Sequence, residues 1–306
     1  MRLRLATRAS QLALWQAETA KSLLEAAHDG LDVELVRVHS SGDRDQTTDL
    51  ARFGRIGIFT VEVDRAVLDG RADVAVHSLK DLTTTLLEGT ALEAVLERGP
   101  VEDAWVCPTG LSIEELPEGA RVASGSLRRR AMLARLRPDL ELTEIRGNVD
   151  TRLGKLARGE AVATVLARAG LVRLGLERHV HTVLDVERFL PAVAQGLVGL
   201  TCREGDEVTA GIVRAIQDDV ARDQATAERA FLKGLRGGCN VPAGGHATID
   251  GDVLTITGRV LAPDGSDAVE VRLEGSRAEA RALGERAAEE VTARGGARWI
   301  DALRNA

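Results

Sequence analysis

Aromatic residues make up only 2% of this 306-residue chain, and tyrosine is missing altogether. Nucleic-acid surfaces normally combine a basic face with stacking rings; this chain has few rings and a formal net charge of −7, so no nucleic-acid partner is expected. Cysteine is almost as scarce. Cys107, Cys202 and Cys239 are odd in number and far apart, which fits neither a disulfide framework nor the paired C-x-x-C spacing of structural zinc. No ligand set for a metal is present elsewhere. No apolar run approaches the roughly 18 residues of a bilayer span, and the opening "MRLRLATRAS" has neither an h-region nor a small-residue cleavage site. The chain reads as cytoplasmic, with no membrane partner.

What is present is a core-forming composition, 44% hydrophobic, in a chain long enough for two or three domains. Its first two thirds alternate short apolar runs with amphipathic stretches, the mark of α/β layers with largely parallel sheets. "RLRLAT", "VELVRVH" and "ADVAVHS" read as strands. Helices are expected from about Gln11 to His28, with Leu12, Trp15, Leu23 and Ala27 broadly on one face, and near Thr60 to Leu68. After Pro100 a second α/β unit follows, with "DAWVCP", "RVASGS" and "LTEIRG" as strands and helices at Leu127–Leu136 and about Val149–Arg158. From Gly245, "HATID", "VLTITGRVLA" and "AVEVRLEG" alternate at period two around the turns "IDGD" and "PDGS", and a long helix begins near Arg277. That tail is α+β.

Three strand-to-helix corners share one composition: Arg8 and Ser10 in "ATRAS", Ser126, Arg128 and Arg129 in "ASGSLRR", and Arg146, Asn148 and Arg152 in "EIRGNVDTR". Ser and Asn cap helix N-termini, where free backbone N–H groups form a ready anion site. A cation beside the positive end of a helix dipole is unfavourable unless an anion joins it. Several separated guanidiniums suit a ligand with several carboxylates better than a compact triphosphate, and no Walker sequence is present. Taken singly, each arginine is equally well explained as a solvated helix face.

"ADVAVHSLKD" sets His77, Ser78, Lys80 and Asp81 at the end of a buried-looking strand. An Asp in a closing cleft can give or take protons, whereas His77 reads as a satisfied structural histidine. A plain surface pair of Lys80 and Asp81 is the competing reading. Cys107 and Cys202 lie in strand-like runs and read as small buried hydrophobes. Cys239, in "LRGGCNVPAGG", is different. A helix from about Thr226 to Leu235 should stop at Gly237 or Gly238, so the thiol follows a helix C-terminus, whose dipole raises a thiol pKa. That position is not tuned for turnover, which leaves a tether or a free loop thiol.

The motifs "RLATRASQLALWQA", "VHSLKD", "GSLRRRAML", "RGNVDTRLGKL", "AGLVRLGL", "LPAVAQG" and "AERAFLKGLRGGCNVPAGG" run almost end to end. In order and spacing the chain closely resembles the porphobilinogen deaminase, or hydroxymethylbilane synthase, family. The resemblance implies three domains: 1–98 with about 197–215, then 99–196, both of the type II periplasmic-binding-protein kind and flanking an active-site cleft, and a small α+β domain over 216–306. It implies a dipyrromethane cofactor joined to Cys239 by a thioether. Four porphobilinogen units are added to it in turn, and hydrolysis releases hydroxymethylbilane. Asp81 then corresponds to the catalytic carboxylate. Ser78, Lys80, Asp81, Ser126, Arg128, Arg129, Arg146 and Arg152 would hold the cofactor; Arg4, Arg8, Ser10, Arg52, Arg55, Arg173 and Gln195 would bind substrate. The family also points to a monomer.

The chain departs from the family at three places. Ile56 stands where a lysine is usual, with Arg55 expected to take over part of its role; Thr83 replaces a proline after the catalytic Asp, and Ala194 stands where glycine is common. The rival reading is a non-catalytic receptor of the periplasmic-binding type for a polycarboxylate, which would account for the corners but for neither Asp81 nor Cys239.

Overall fold

The computed structural model describes residues 1–38, 58–236 and 241–304. Along the chain run β1 (Arg2–Arg8), α1 (Gln11–Ala27), β2 (Asp32–Val38), α2 (Ile58–Leu68), β3 (Val74–Ser78), β4 (Thr90–Val95) and β5 (Asp103–Val106). Then come β6 (Arg121–Ala123), α3 (Leu127–Leu136), β7 (Glu141–Thr143), α4 (Val149–Ala157), β8 (Ala163–Ala167), α5 (Arg168–Arg173) and β9 (Thr182–Val183). The rest comprises β10 (Val198–Arg203), α6 (Glu207–Arg214), α7 (Asp219–Gly234), β11 (Ala243–Asp250), β12 (Val253–Leu261), β13 (Ala268–Ser276), α8 (Ala280–Ala293) and α9 (Ala297–Arg304).

Two five-stranded mixed sheets have the orders β2-β1-β3-β10-β4 and β7-β6-β8-β5-β9. In each, three neighbouring strands are parallel and the fourth is antiparallel to both its neighbours. That fourth strand is the one contributed where the chain crosses: β5 opens the second sheet and β10 returns to complete the first. Both sheets thus share the local order 2-1-3-n-4, with two parallel and two antiparallel pairings in each where largely parallel sheets were expected. The third sheet is the antiparallel meander β11-β12-β13, completing the α+β tail.

The chain divides into two compact units, Met1–Gly99 with Gly196–Ala225 and Pro100–Gln195 with Thr226–Ala306. In the first, strand alternation sends Leu3 and Leu5 to one face, under Ala17, Ala20 and Leu24 of α1, and Ala6 to the other, with Val63, Ala66 and Val67 of α2. In the second, Trp105, Leu133, Phe189 and Leu190 share a core with Leu261 of β12. The β12–β13 hairpin rests directly on α3. A Cβ at Gly265 (φ +75) would lie 2.5 Å from both the Ala131 carbonyl oxygen and the Arg135 backbone nitrogen, so only glycine fits there.

Three local expectations are corrected. The buried face of α1 is Gln16, Ala17, Ala20 and Leu24, while Trp15 and Leu23 are 39% and 42% exposed. Small alanines let the helix approach its sheet closely, so size was the wrong guide to the inward face. Helix α7 starts well before Thr226, where the Asp218 carboxylate accepts from the Ala221 N–H at 2.7 Å. It ends at Gly234, and the left-handed residue after it is Arg236 (φ 53), ahead of the expected glycines. Among the described residues no helix is long and apolar enough to cross a membrane.

Candidate active site

In the first unit, β1 and β3 are adjacent and parallel, so both end at the same edge, where ligands sit in open α/β sheets. Arg8 is the last residue of β1, and Ser10 caps α1 by accepting from the Ala13 N–H at 3.3 Å. Ser78 ends β3. A 3-10 turn, Leu79–Asp81, follows at once and leaves Asp81 exposed at its close. The turn is fixed by the buried Leu79, whose N–H donates to the Leu197 carbonyl at 3.0 Å. Arg8, Ser10, Ser78, Lys80 and Asp81 therefore come from neighbouring strand ends. Gln16, which the sequence reading missed, is buried beneath them; its Nε2 donates to Ser78 Oγ at 2.8 Å, and Oγ donates back to its Oε1 at 3.1 Å.

Arg4 is not part of this edge. It lies four residues, about 13 Å, back along β1. Its Nε and Nη2 donate to the two Asp73 carboxylate oxygens at 3.1 and 2.8 Å, and Nη1 to the Gly70 and Arg71 carbonyls. Burial works against ionising Asp73, but Arg4 holds its carboxyl below the ordinary value. The expected substrate-binding role of Arg4 is corrected to a structural clamp on the segment leading into β3.

In the second unit, the candidate residues follow the carboxyl ends of the three parallel strands. Ser126 caps α3 after β6, Asn148 caps α4 after β7, and α5 with Arg173 follows β8. Arg146 is exposed and forms a two-point pair with Glu144, while Arg152 donates to the Gly147 carbonyl at 2.8 Å. Arg173 is partly buried, and burial lowers its pKa.

Arg128 and Arg129 differ from the open cations expected of a helix corner. They are 4% and 6% exposed, and both point inward to Asp103 at the head of β5. Arg128 Nη2 donates to Asp103 Oδ2 at 2.7 Å and Arg129 Nη2 to Oδ1 at 2.6 Å. Gln195 is also interior, donating to Asp103 Oδ1 at 2.9 Å and to the Val101 carbonyl at 2.8 Å. Burial alone would raise the Asp103 pKa. The two guanidiniums outweigh it and hold the carboxyl well below the usual range. One carboxylate against two arginines leaves a surplus positive charge, and the Nε of each arginine has no hydrogen-bond partner. Asp103 escaped the sequence reading; the signal was an acidic residue heading a strand buried at every position.

Of the thiols, Cys107 is buried with its Sγ 3.2 Å from Thr109 Oγ1. Cys202 is fully buried, and burial, with Glu93 and Asp206 nearby, pushes its thiol up to about 11. Both are the small, buried, core-filling cysteines expected. Cys239, Arg52, Arg55 and Ile56 lie outside the described residues. Ala194 has φ 60, the left-handed conformation that explains a preference for glycine there.

A family model described as "Porphobilinogen deaminase, dipyromethane cofactor binding domain" matches residues 3–211, and one for the C-terminal domain of the same enzyme matches 223–293. The chain belongs to the porphobilinogen deaminase family. A porphobilinogen deaminase of Syntrophotalea carbinolica is 43% identical over 301 residues, covering 98% of this chain and 96% of that one. Membership makes the chain a hydroxymethylbilane synthase of tetrapyrrole biosynthesis, with dipyrromethane as its cofactor. Solved structures that resemble it include the VFT2 domain of BvgS from Bordetella pertussis, 17% identical over 70% of this chain and 86% of that one, with a TM-score of 0.42. YhfZ from Shigella flexneri is 19% identical over 76% and 90%, with a TM-score of 0.38. These likenesses are too distant to bear on ligand or mechanism.

Proposed function

We propose that this chain performs the family reaction with Asp81 as its catalytic carboxylate and Cys239 as the cofactor anchor. The observation that carries the first assignment is an exposed carboxylate on a turn anchored by the buried Leu79, at the shared edge of β1 and β3, with Lys80, Arg8, Ser10 and Ser78 around the same strand ends. A carboxylate so placed can accept hydrogen bonds from pyrrole N–H groups and stabilise the positive charge that develops on them as ammonia leaves porphobilinogen. Arg8 and the capped N-terminus of α1 offer donors to acetate and propionate groups.

The residues present fit a cofactor rich in carboxylates. Behind the N-terminus of α3 the buried arginine pair carries one positive charge more than Asp103 balances, and Ser126, Arg146, Arg152 and Arg173 follow the ends of the parallel strands. Within the second unit, Arg128 and Arg129 would act as a fixed positive background behind that helix N-terminus. Dipyrromethane, when bound, supplies the free pyrrole α-carbon to which porphobilinogen units are joined. Supporting Cys239 as anchor, the other two thiols are buried, and that of Cys202 is driven further from the reactive thiolate. The same reading makes the enzyme a cytoplasmic monomer.

The test is turnover of porphobilinogen to ammonia and a linear tetrapyrrole by the purified chain. Asp81→Asn should lower kcat at least about 100-fold, the scale of losing a charge-stabilising group at the reacting centre. Retention of wild-type turnover by that variant would remove Asp81 from the role.

A further inference from the structure

The last two residues of β3 point to opposite faces of the first sheet, and each is tied by a buried polar side chain from the helix on that face. Ser78 is bonded to Gln16 of α1. His77, 4% exposed, faces α2, where its Nε2 lies 2.8 Å from Oδ1 of Asp64. Thr201 of β10 completes the group: its hydroxyl donates to the same Asp64 oxygen at 2.7 Å and lies 3.2 Å from His77 Nε2. Because a carboxylate oxygen only accepts, His77 must carry its hydrogen on Nε2.

Around this trio the α2 face of the sheet is apolar, formed by Ala6, Val38, Val63, Ala66, Val67 and Ala75. Burying a carboxylate, an imidazole and a hydroxyl there gains little stability over a well-packed apolar set. Such a network instead fixes position, since each member has one arrangement that satisfies all three. It joins three elements, α2, β3 and β10, directly before the turn that carries Asp81.

We propose that Asp64, His77 and Thr201 are positioning residues that set the height and direction of the Leu79–Asp81 turn, and so place the Asp81 carboxylate for reaction. None of the three touches substrate. Their effect passes through the backbone of β3, which ends one residue beyond His77, and through β10, whose Val198 and Gly199 pair with Ser78 and His77. The proposal rests on Asp81 being the catalytic carboxylate.

The experiment compares Asp64→Asn and Thr201→Val with wild type for kcat per cofactor-loaded molecule, KM for porphobilinogen and Tm, the loaded fraction being counted by intact mass. Asp64→Asn keeps the shape but not the charge, and Thr201→Val removes one hydrogen bond from a network whose other members remain, which guards against misfolding in the first variant. A positioning role predicts kcat lowered threefold or more in each folded variant, with KM within twofold. A fall in Tm with kcat changed less than threefold would make the trio purely structural and overturn the proposal. Asp81→Asn, run alongside, separates the two failures: if it turns over like wild type the reading of Asp81 falls, and the positioning proposal with it; if it is inactive while the other variants are not, only the positioning proposal falls.

Discussion

At the scale of single residues, Asp103 makes the clearest energetic demand. It balances two buried guanidiniums, so removing its charge strands both. Asp103→Asn should cost about 3–5 kcal/mol, read as a lower urea midpoint at neutral pH. The pH dependence has a definite sign. The folded pKa of Asp103 is depressed, so its contribution is complete above the unfolded value of about 4 and is lost as pH falls below it. Wild type should therefore lose stability more steeply below about pH 4 than Asp103→Asn does; equal slopes would count against the assignment. Ala194 offers the opposite change. Its φ of 60 strains an L-residue, and its N–H donates to Glu228 Oε2 at 2.6 Å, a bond glycine keeps. Ala194→Gly should stabilise the chain by about 0.5–1 kcal/mol in denaturant unfolding, strain relief slightly exceeding the added flexibility of the unfolded chain.

At the scale of elements, α1 shows what periodicity can and cannot reveal. The helix and its Ser10 cap are legible in the sequence, because a cap residue ahead of an apolar-periodic run has few other readings. The inward face is not: the large residues Trp15 and Leu23 point outward, and the face that fits close to β1 and β3 is built from alanines, Gln16 and Leu24. Leu24→Ala should cost about 2–5 kcal/mol and Leu23→Ala under about 0.5 kcal/mol, measured by equilibrium unfolding. Ser126 and Asn148 cap their helices as their corners suggest. Helix α6 and the start of α7 were not legible, since apolar and inward do not coincide there: α6 buries Thr209, Ala210 and Val213, while Val208 and Val220 are exposed. The hairpin contact on α3 is a separate test. Gly265→Ala adds a Cβ into helix backbone and should destabilise the second unit by well over 1 kcal/mol, because neither main chain can yield cheaply.

At the scale of the molecule, the α/β class, the paired sheets and the α+β tail were readable because strand and helix periods alternate cleanly in the first two thirds and change after Gly245. Their topology was not readable from periodicity, since each sheet takes one strand from across a crossing point. The site divides in the same way. The placement of Arg8, Ser10, Ser78 and Asp81 at strand ends was legible because a strand-to-helix corner is local in sequence. The interior destination of Arg128, Arg129 and Gln195 was not: their common partner, Asp103, is 25 residues from the nearest of them and 92 from the farthest. Together these parts make one claim, that a polycarboxylate primer is held by this chain and anchored at Cys239. Intact-protein mass spectrometry of the purified chain, followed by peptide mapping, tests it most directly. An added mass of two deaminated porphobilinogen units is expected on the peptide containing Cys239; an active protein whose Cys239 is unmodified would overturn the claim.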